Sequence, residues 1–231
     1  MRGVDLDAIA LTPAPALDEI VAAVDGVLKD QKFKKLPSVD AILMDELMEW
    51  LIPGERCVAI AKPHGNYRVL YDTRFSQAAF ADALAQALPE TLIAQFNVQE
   101  QTDFSLRILR GPHVLYEYSN APSFFNWGRC LGKSEAVQLT RPETAALATV
   151  LDCAQYAPEI ERCFTTVSAK IVGEKSETRG RHRGGVFDAV QTIAGHAGMP
   201  RLFRFFEGWM KSGLDWDEDR IEIVNAYRNH A

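Results

Sequence analysis

The segment LIAQFNVQEQTDFSLRILRGPHVLYEY, residues 92–118, decides the fold class of this chain. Apolar residues alternate with mostly polar ones in three successive runs: Leu92, Ala94, Phe96 and Val98; Phe104, Leu106 and Ile108; Val114, Tyr116 and Tyr118. Gly111-Pro112 supplies a turn between the last two runs. A period of two predicts three strands, and the polar positions predict an antiparallel sheet that faces water on one side or at an edge.

Two more strands are predicted upstream of this segment. Cys57–Lys62 and Tyr67–Asp72 flank residues 63–66, which have the composition of a hairpin turn. A helix is predicted from Gln77 to Leu88, and Pro89 ends it. The sheet should therefore contain about five strands between residues 56 and 118.

The first 55 residues are predicted to supply helices that pack on this sheet. After a loose start with Pro13 and Pro15, Leu17–Leu28 repeats apolar residues at spacings of three and four, which indicates an amphipathic helix. A second helix is predicted over Ser38–Leu51, with Ser38 as its N-cap.

The pattern from residue 140 onward is mainly helical. Residues 140–143, Thr-Arg-Pro-Glu, have the composition of a capping box and predict a helix that extends to about Gln155. Four more helices are predicted over 159–172, 186–196, 200–211 and 217–229. The polar, glycine-rich segment 173–185 is predicted to be a mobile loop.

These patterns predict an α+β protein with a roughly five-stranded antiparallel sheet, packed by helices on at least one face. We divide the chain into N-terminal helices (1–55), an antiparallel α+β core (56–139) and a mainly helical segment (140–231). That last segment completes the core domain or forms a small second one. The order of one helix, two strands, one helix, three strands and a helix is similar to that of the roadblock and longin groups, which serve mainly in protein–protein contact. The resemblance lies in element order alone and transfers no functional residue.

Charge and composition bound the class of partner. The chain has 25 Lys and Arg against 31 Asp and Glu, a net charge of -6 and a pI near 5.4, which disfavours chain-wide binding to nucleic acid or anionic lipid. No secretory signal is visible, and no apolar run approaches the roughly 18–20 residues that span a bilayer. The four cysteines lack CxxC spacing. We expect a cytoplasmic protein without disulfides.

Two short motifs suggest chemistry, and each lacks a required residue. Gly128–Ser134 has three residues between its glycines, whereas a phosphate-binding P-loop has four. Asp215, Asp217 and Asp219 have the spacing of calcium ligands, but Arg220 stands where glycine is required. The histidines are scattered, and the serines lack a nucleophile elbow. We predict no catalytic residue, metal or cofactor from local motifs, while a catalytic set of distant residues stays open.

The first candidate binding site is the basic loop at 173–185. Its candidate ligands are Arg179, Arg181, His182 and Arg183. Arginine forks bind phosphate, RNA or acidic side chains in a bidentate manner, so this loop could hold an anion. The alternative is a solvated connection between two helices.

The second candidate site is aromatic. It comprises Phe124, Phe125 and Trp127 in a loop, together with Trp209 of the predicted helix 200–211. Loops lie at the surface, and exposed Phe and Trp anchor many protein interfaces. The alternative for the helical aromatic residue is an ordinary core position.

We predict a cytosolic, non-enzymatic protein-binding module, either an adaptor or an immunity-like inhibitor, that acts through these aromatic and Arg-rich loops. An acidic inhibitor would associate rapidly with a basic partner protein. The alternative is an enzyme or sensor that binds an anionic, phosphorylated small molecule under the 173–185 loop. A second alternative is single-stranded nucleic-acid binding through the same loop.

Overall fold

Eight strands and five helices make up the part of the chain that the structure, a computed structural model, describes: residues 4–37, 55–72, 78–99, 103–119, 143–171, 186–202 and 220–229. The strands are β1 (Val4–Thr12), β2 (Phe33–Lys35), β3 (Glu55–Ala61), β4 (Arg68–Asp72), β5 (Leu92–Gln99), β6 (Asp103–Arg110), β7 (His113–Ser119) and β8 (Ile221–Asn229). The helices are α1 (Leu17–Asp30), α2 (Ala78–Ala87), α3 (Thr144–Val150), α4 (Ala157–Ile171) and α5 (Val186–His196), with a short 3₁₀ turn at Ala154–Tyr156.

The strands form one sheet in the order β2-β8-β3-β4-β1-β5-β6-β7, and each neighbouring pair is antiparallel. The predicted α+β class and antiparallel sheet are confirmed, as are the five predicted strands. The predicted number of about five strands was wrong, because β1, β2 and β8 come from outside residues 56–118 and complete the sheet.

The N-terminal segment begins with a strand rather than the predicted loose stretch. β1 lies between β4 and β5, and Leu6–Leu11 is fully buried. Leu6 and Ala8 face one side of the sheet while Ile9 and Leu11 face the other. Apolar and acidic residues alternate only over residues 4–8, and residues 8–11 are a continuous apolar run because both faces of the strand are buried there, so the pattern of an exposed strand was too short to stand out.

The predicted helix over 217–229 was wrong, because Ile221–Asn229 forms strand β8. β8 lies between β2 and β3 and forms backbone ladders with both. Ile221, Ile223 and Val224 are β-branched, which favours a strand, and pairing on two sides outweighs the acidic residues that resembled a helix start.

Three predicted helices, α1, α4 and α5, are confirmed within a few residues of their predicted ends, and α2 lies inside its predicted range. The predicted capping box at 140–143 was wrong, because Glu143 precedes the first turn of α3 and so cannot be its third residue. The predicted helix 38–51 lies outside the described residues. Of the predicted helix 200–211, only residues 200–202 are described, and they are not helical.

Helices cover both faces of the sheet. α1 and α2 pack on what we call the mixed face, whose apolar strand residues include Ile9, Leu11, Val58, Ile60, Leu70 and Ile93. α3, α4 and α5 pack on the apolar face, whose strand residues include Ala8, Ala10, Ala59, Phe96, Phe104 and Leu106. Of the two predicted alternatives, water on one side of the sheet or at an edge, the described helices leave the second, since β7 at the end of the sheet exposes Val114 and Leu115. Alternation tells which residues share a face and not what covers that face.

All three predicted segments of the chain contribute strands to this single sheet: β1 from 1–55, β3 to β7 from 56–139 and β8 from 140–231. The division into domains stays a prediction. The roadblock-like or longin-like order also stays a prediction. The predicted order begins with a helix followed by two strands, whereas the observed order has β1 before that helix and β2 as an additional strand after it. Within the described ranges, no helix is both long and apolar enough to cross a membrane.

Candidate functional site

The predicted site residues lie outside the described residues. This applies to Arg179, Arg181, His182 and Arg183 of the basic loop and to Phe124, Phe125, Trp127 and Trp209 of the aromatic set. The hypotheses that depend on them, including nucleic-acid binding by the basic loop, therefore stay predictions.

A cleft of about 280 Å³ opens instead where three other segments meet. Its described lining residues are Ala61, Lys62, Pro63, His64, Tyr71, Pro200, Arg201 and Arg220. They come from the β3–β4 hairpin (the end of β3, the turn and β4), from the segment that follows α5, and from the residue that precedes β8. We call this the cationic cleft.

The β3–β4 turn is held by short-range hydrogen bonds. The backbone N–H of His64 donates to the carbonyl of Tyr67 at 2.8 Å, and the N–H of Tyr67 donates back at 3.0 Å. Gly65 between them has φ +56°, a left-handed conformation that glycine adopts without strain. Asn66 also donates a side-chain hydrogen bond to Thr12 Oγ1 at 3.1 Å, which ties the turn to the end of β1.

The Pro200–Arg201 wall of the cleft is fixed to the end of α5. Gly198, with φ +74°, and Met199 close the helix by donating backbone hydrogen bonds to Gly195 and Ala194 at 3.1 and 2.9 Å, the pairing of a Schellman motif. Gln191 of α5 then bonds both backbone groups of Leu202. Its Nε2 donates to the Leu202 carbonyl, and its Oε1 accepts from the Leu202 N–H at 3.1 Å. Arg201 therefore projects from a backbone anchored on both sides.

The third wall is joined to the turn by the sheet itself. The N–H of Lys62 donates to the carbonyl of Arg220 at 2.8 Å, so these two cationic residues belong to neighbouring backbone segments. Behind them Arg68, which is buried, donates to the carbonyls of Ala61 and Pro15 and pairs with Glu222. Arg68 of β4 thereby contacts Ala61 of β3 and Glu222 of β8, and so connects the ends of these three strands next to the cleft.

The electrostatic character of the cleft follows from its lining. Lys62, Arg201 and Arg220 carry positive charge at neutral pH, and His64 adds an imidazole to the same lining. All four are exposed, and none of the described lining residues is a carboxylate. A concave surface lined by one sign of charge concentrates ions of the opposite sign. The chain is acidic overall, so this positive potential is local.

The mixed face holds a second set of polar side chains, but it is closed. Every buried polar strand residue points to this face: Asp7, Arg56, Arg68, Asp72, Gln95, Asn97, Ser105, Arg107 and Asn225. Arg107 pairs with Asp82 at 3.0 Å and approaches Glu117 at 3.6 Å, while Asn97 donates to Ser105 at 3.3 Å. All nine of these strand side chains are buried, so this face presents no open surface to a ligand.

The cysteines and titratable groups of the apolar face do not form a nucleophilic site. Burial raises the pKa of the Cys153 thiol, and Asp152 adds to the rise. A raised pKa suppresses the reactive thiolate. Within the described ranges, no group of three or more His, Cys, Asp or Glu side chains is placed to hold a metal ion.

Sequence reasoning missed the cationic cleft because its cations stand far apart in the chain, at 62, 201 and 220. His64 was placed in a turn at the surface, which is confirmed, but no local spacing linked it to Arg201 or Arg220. Comparison of the chain with models of protein families, with curated proteins and with solved structures finds no match in any of the three.

Proposed function

We propose that this protein binds a small ligand with an anionic group in the cationic cleft. The observation that carries the proposal is that Lys62, Arg201 and Arg220, which are far apart in the chain, line one cleft. Arginine and lysine recognise carboxylates and phosphates by charge-assisted hydrogen bonds. The anchored backbone of all three walls lowers the entropic cost of ordering these side chains around a ligand.

Thermal unfolding in the presence of small anions tests this proposal. A panel of carboxylates, sulfates and phosphates is compared with chloride at equal ionic strength. At a concentration of about 100 times Kd a ligand adds about 2.7 kcal/mol of stability, which raises Tm by about 5–10 °C in a chain of this size. We expect at least one anion to do so.

The matched variants separate a site from a general salt effect. Arg201→Gln/Arg220→Gln removes two exposed cleft charges and should abolish the shift. Arg162→Gln removes a charge that is 75 % exposed on α4, outside the cleft lining, and should leave the shift intact. Equal shifts in all three proteins, or no shift with any anion, would contradict the proposal.

A second function, binding of a protein partner, is favoured by a different observation at β7. Within the described ranges this strand is at the end of the sheet and pairs with β6 alone. Val114 and Leu115 on it are 43 % and 42 % exposed, more than the other large hydrophobic residues described. Exposed edge strands accept an added strand from a partner through backbone hydrogen bonds. This agrees with the expectation of an adaptor or inhibitor.

Recovery of partners from a native extract tests the second function. A protein retained by the wild type should be lost with Val114→Lys/Leu115→Lys, because two ammonium groups oppose burial of that edge. It should still be retained by Tyr156→Ser, which changes an exposed aromatic residue away from β7. A partner that binds both variants equally would exclude the edge of β7 as its site.

A further inference from the structure

Resting on the proposed anion-binding function, we infer that Gln191 of α5 is a positioning residue of the cationic cleft. Its side-chain amide holds the backbone from which Arg201 reaches the bound anion, and it thereby sets the affinity of the site. Gln191 is not among the described lining residues of the cleft. It acts through the backbone of Leu202, to which it donates one hydrogen bond and from which it accepts another.

The peptide unit between Arg201 and Leu202 is the point at which Gln191 acts. The N–H of this unit belongs to Leu202 and donates to Gln191 Oε1 at 3.1 Å, while Gln191 Nε2 donates to the Leu202 carbonyl. Two hydrogen bonds from one side chain fix the orientation of this backbone, as a paired strand would. Because the peptide unit is planar, its orientation sets the ψ angle of Arg201.

The residues on either side of Arg201 are restricted as well. Pro200 has a φ angle that its ring locks. Leu202 is fully buried in the core of the apolar face. Arg201 itself is exposed and lines the cleft, so the mobile part of this segment is the arginine side chain and not its backbone.

Loss of the Gln191 amide would remove the partner of two buried backbone groups. A buried N–H or C=O without a hydrogen bond is costly, so this segment would shift toward another partner or toward water. The anion would then have to order both the backbone and the long side chain of Arg201, and that ordering lowers affinity. Gln191 is neutral, so it contributes by position and not by charge.

Calorimetric titration of the full chain with inorganic phosphate, sulfate and acetate, one at a time, tests this role. Gln191→Met removes both hydrogen bonds, and Gln191→Asn keeps the amide but is one methylene too short to bridge both backbone groups. Neither variant changes the charge of the cleft. For each anion that the wild type binds, we expect both variants to raise Kd about three- to tenfold, the cost of ordering one long side chain.

Two further variants bracket this result. Arg201→Gln removes the positioned group itself and should raise Kd at least about tenfold. Ile193→Val shortens a fully buried side chain on the same helix, so it should lower Tm and leave Kd unchanged. A Kd that rises without a matching dependence on Tm separates positioning from a general loss of stability.

The free protein offers a readout that needs no ligand. In Gln191→Met, the Leu202 amide should exchange with solvent faster relative to the amides of α5, because its hydrogen-bond acceptor is gone. NMR relaxation of the Arg201 Nε–H should show greater mobility in the same variant. Ile193→Val should change neither quantity.

The outcomes separate the inference from the function on which it rests. A Kd that is unchanged in both Gln191 variants, or raised equally in Ile193→Val, would overturn the role of Gln191 while anion binding would stand. Unchanged exchange of the Leu202 amide in Gln191→Met would overturn it as well. Saturable binding of none of the three anions by the wild type would overturn the inference and the proposed function together.

Discussion

On the apolar face of the sheet, Ala10 lies opposite Ala94 in the β1–β5 ladder, and both side chains are buried under helices. On the mixed face Arg56 and Asp72 are just as hidden, with side chains 6 % and 2 % exposed, yet each carries a full charge. Arg56 binds both oxygens of Asp72 and Gln31 Oε1, and its guanidinium lies 4.1 Å from the centroid of the Phe80 ring.

The difference shows that the two faces of one sheet are stabilised by different interactions, apolar packing on one face and charge pairing on the other. The apolar face depends on shape, since small and large side chains must fill the space under α3, α4 and α5. The mixed face depends on pairing, since each buried charge needs its partner to offset the loss of water. Changes in side-chain volume should therefore lower the free energy of unfolding most on the apolar face. On the mixed face, the loss of a single charged partner should lower it most.

Loss of a partner on the mixed face should have the largest effect. Asp72→Ala leaves the buried Arg56 guanidinium without its carboxylate, and we expect a loss of about 3–5 kcal/mol in the free energy of unfolding, measured by urea denaturation. The double variant Arg56→Met/Asp72→Leu should lose much less, because no unpaired charge is left. Disruption of the exposed pair Glu159–Arg162 by Arg162→Gln is the control and should change stability little. A loss in the double variant as large as in the single one would show that packing, not pairing, dominates there.

Added volume on the apolar face should have the next largest effect. Ala94 is 1 % exposed on β5, where α5 packs, and Ala94→Leu should cost about 1–3 kcal/mol because the helix must move away. The exposed α3 residue Ala145 offers a control in Ala145→Leu. An unchanged denaturation midpoint for Ala94→Leu would mean that the packing at this face leaves space for a larger side chain and depends less on shape than we infer.

One buried phenol on each face should make the protein sensitive to alkaline pH. Burial raises the pKa of Tyr116 on the apolar face, and burial together with its hydrogen bond to Asp25 raises the pKa of Tyr227 on the mixed face. In both cases the folded pKa exceeds the unfolded value of about 10. The stabilising contribution of each phenol to the free energy of unfolding is therefore complete below pH 10 and is lost as pH rises above it.

The free energy of unfolding should fall by about 1.4 kcal/mol per pH unit above 10 for each buried phenol. Unfolding followed between pH 8 and 11 should show a shallower decline for Tyr116→Phe/Tyr227→Phe than for the wild type. The same slope in both proteins would exclude these phenols as its source.

Removal of either phenol hydroxyl at neutral pH should change the free energy of unfolding least, and the two removals should differ clearly from each other. The Tyr227 hydroxyl donates to Asp25 Oδ1 at 2.7 Å, so Tyr227→Phe should cost about 1 kcal/mol. The Tyr116 hydroxyl is buried without a hydrogen-bond partner among the described residues, so Tyr116→Phe should be neutral or slightly stabilising. Equal losses in the two variants, by urea denaturation, would contradict the distinction between the faces.

The cationic cleft differs from both faces in the use of its charges. Arg56, Arg68 and Arg107 are buried and paired with carboxylates inside the protein. Arg201 and Arg220 are exposed at the end of the sheet and line a space without a described carboxylate. Arginine therefore contributes to folding inside the sheet and lines an open cleft at its end, where we propose that a ligand binds.

Sequence patterns predicted the regular parts of this fold and missed the parts that depend on neighbours. The runs at 92–118 predicted β5, β6 and β7, and the spacing over Leu17–Leu28 predicted α1. β1 and β8 were missed because their strand character comes from pairing with distant segments on both sides. The cleft was missed for the same reason, since Lys62 and Arg220 are adjacent only through the β3–β8 region of the sheet.

The sequence by itself determined the period of each element, and with it which side chains share a face. Gln95 and Asn97 were assigned to one side of β5 and Phe96 to the other, as observed. Only the tertiary structure decided that the polar side is buried, with its charges paired, and that three distant cations line one cleft. The physical reason is that periodicity is set by backbone geometry within a segment, whereas burial and charge pairing depend on which other segments lie against it.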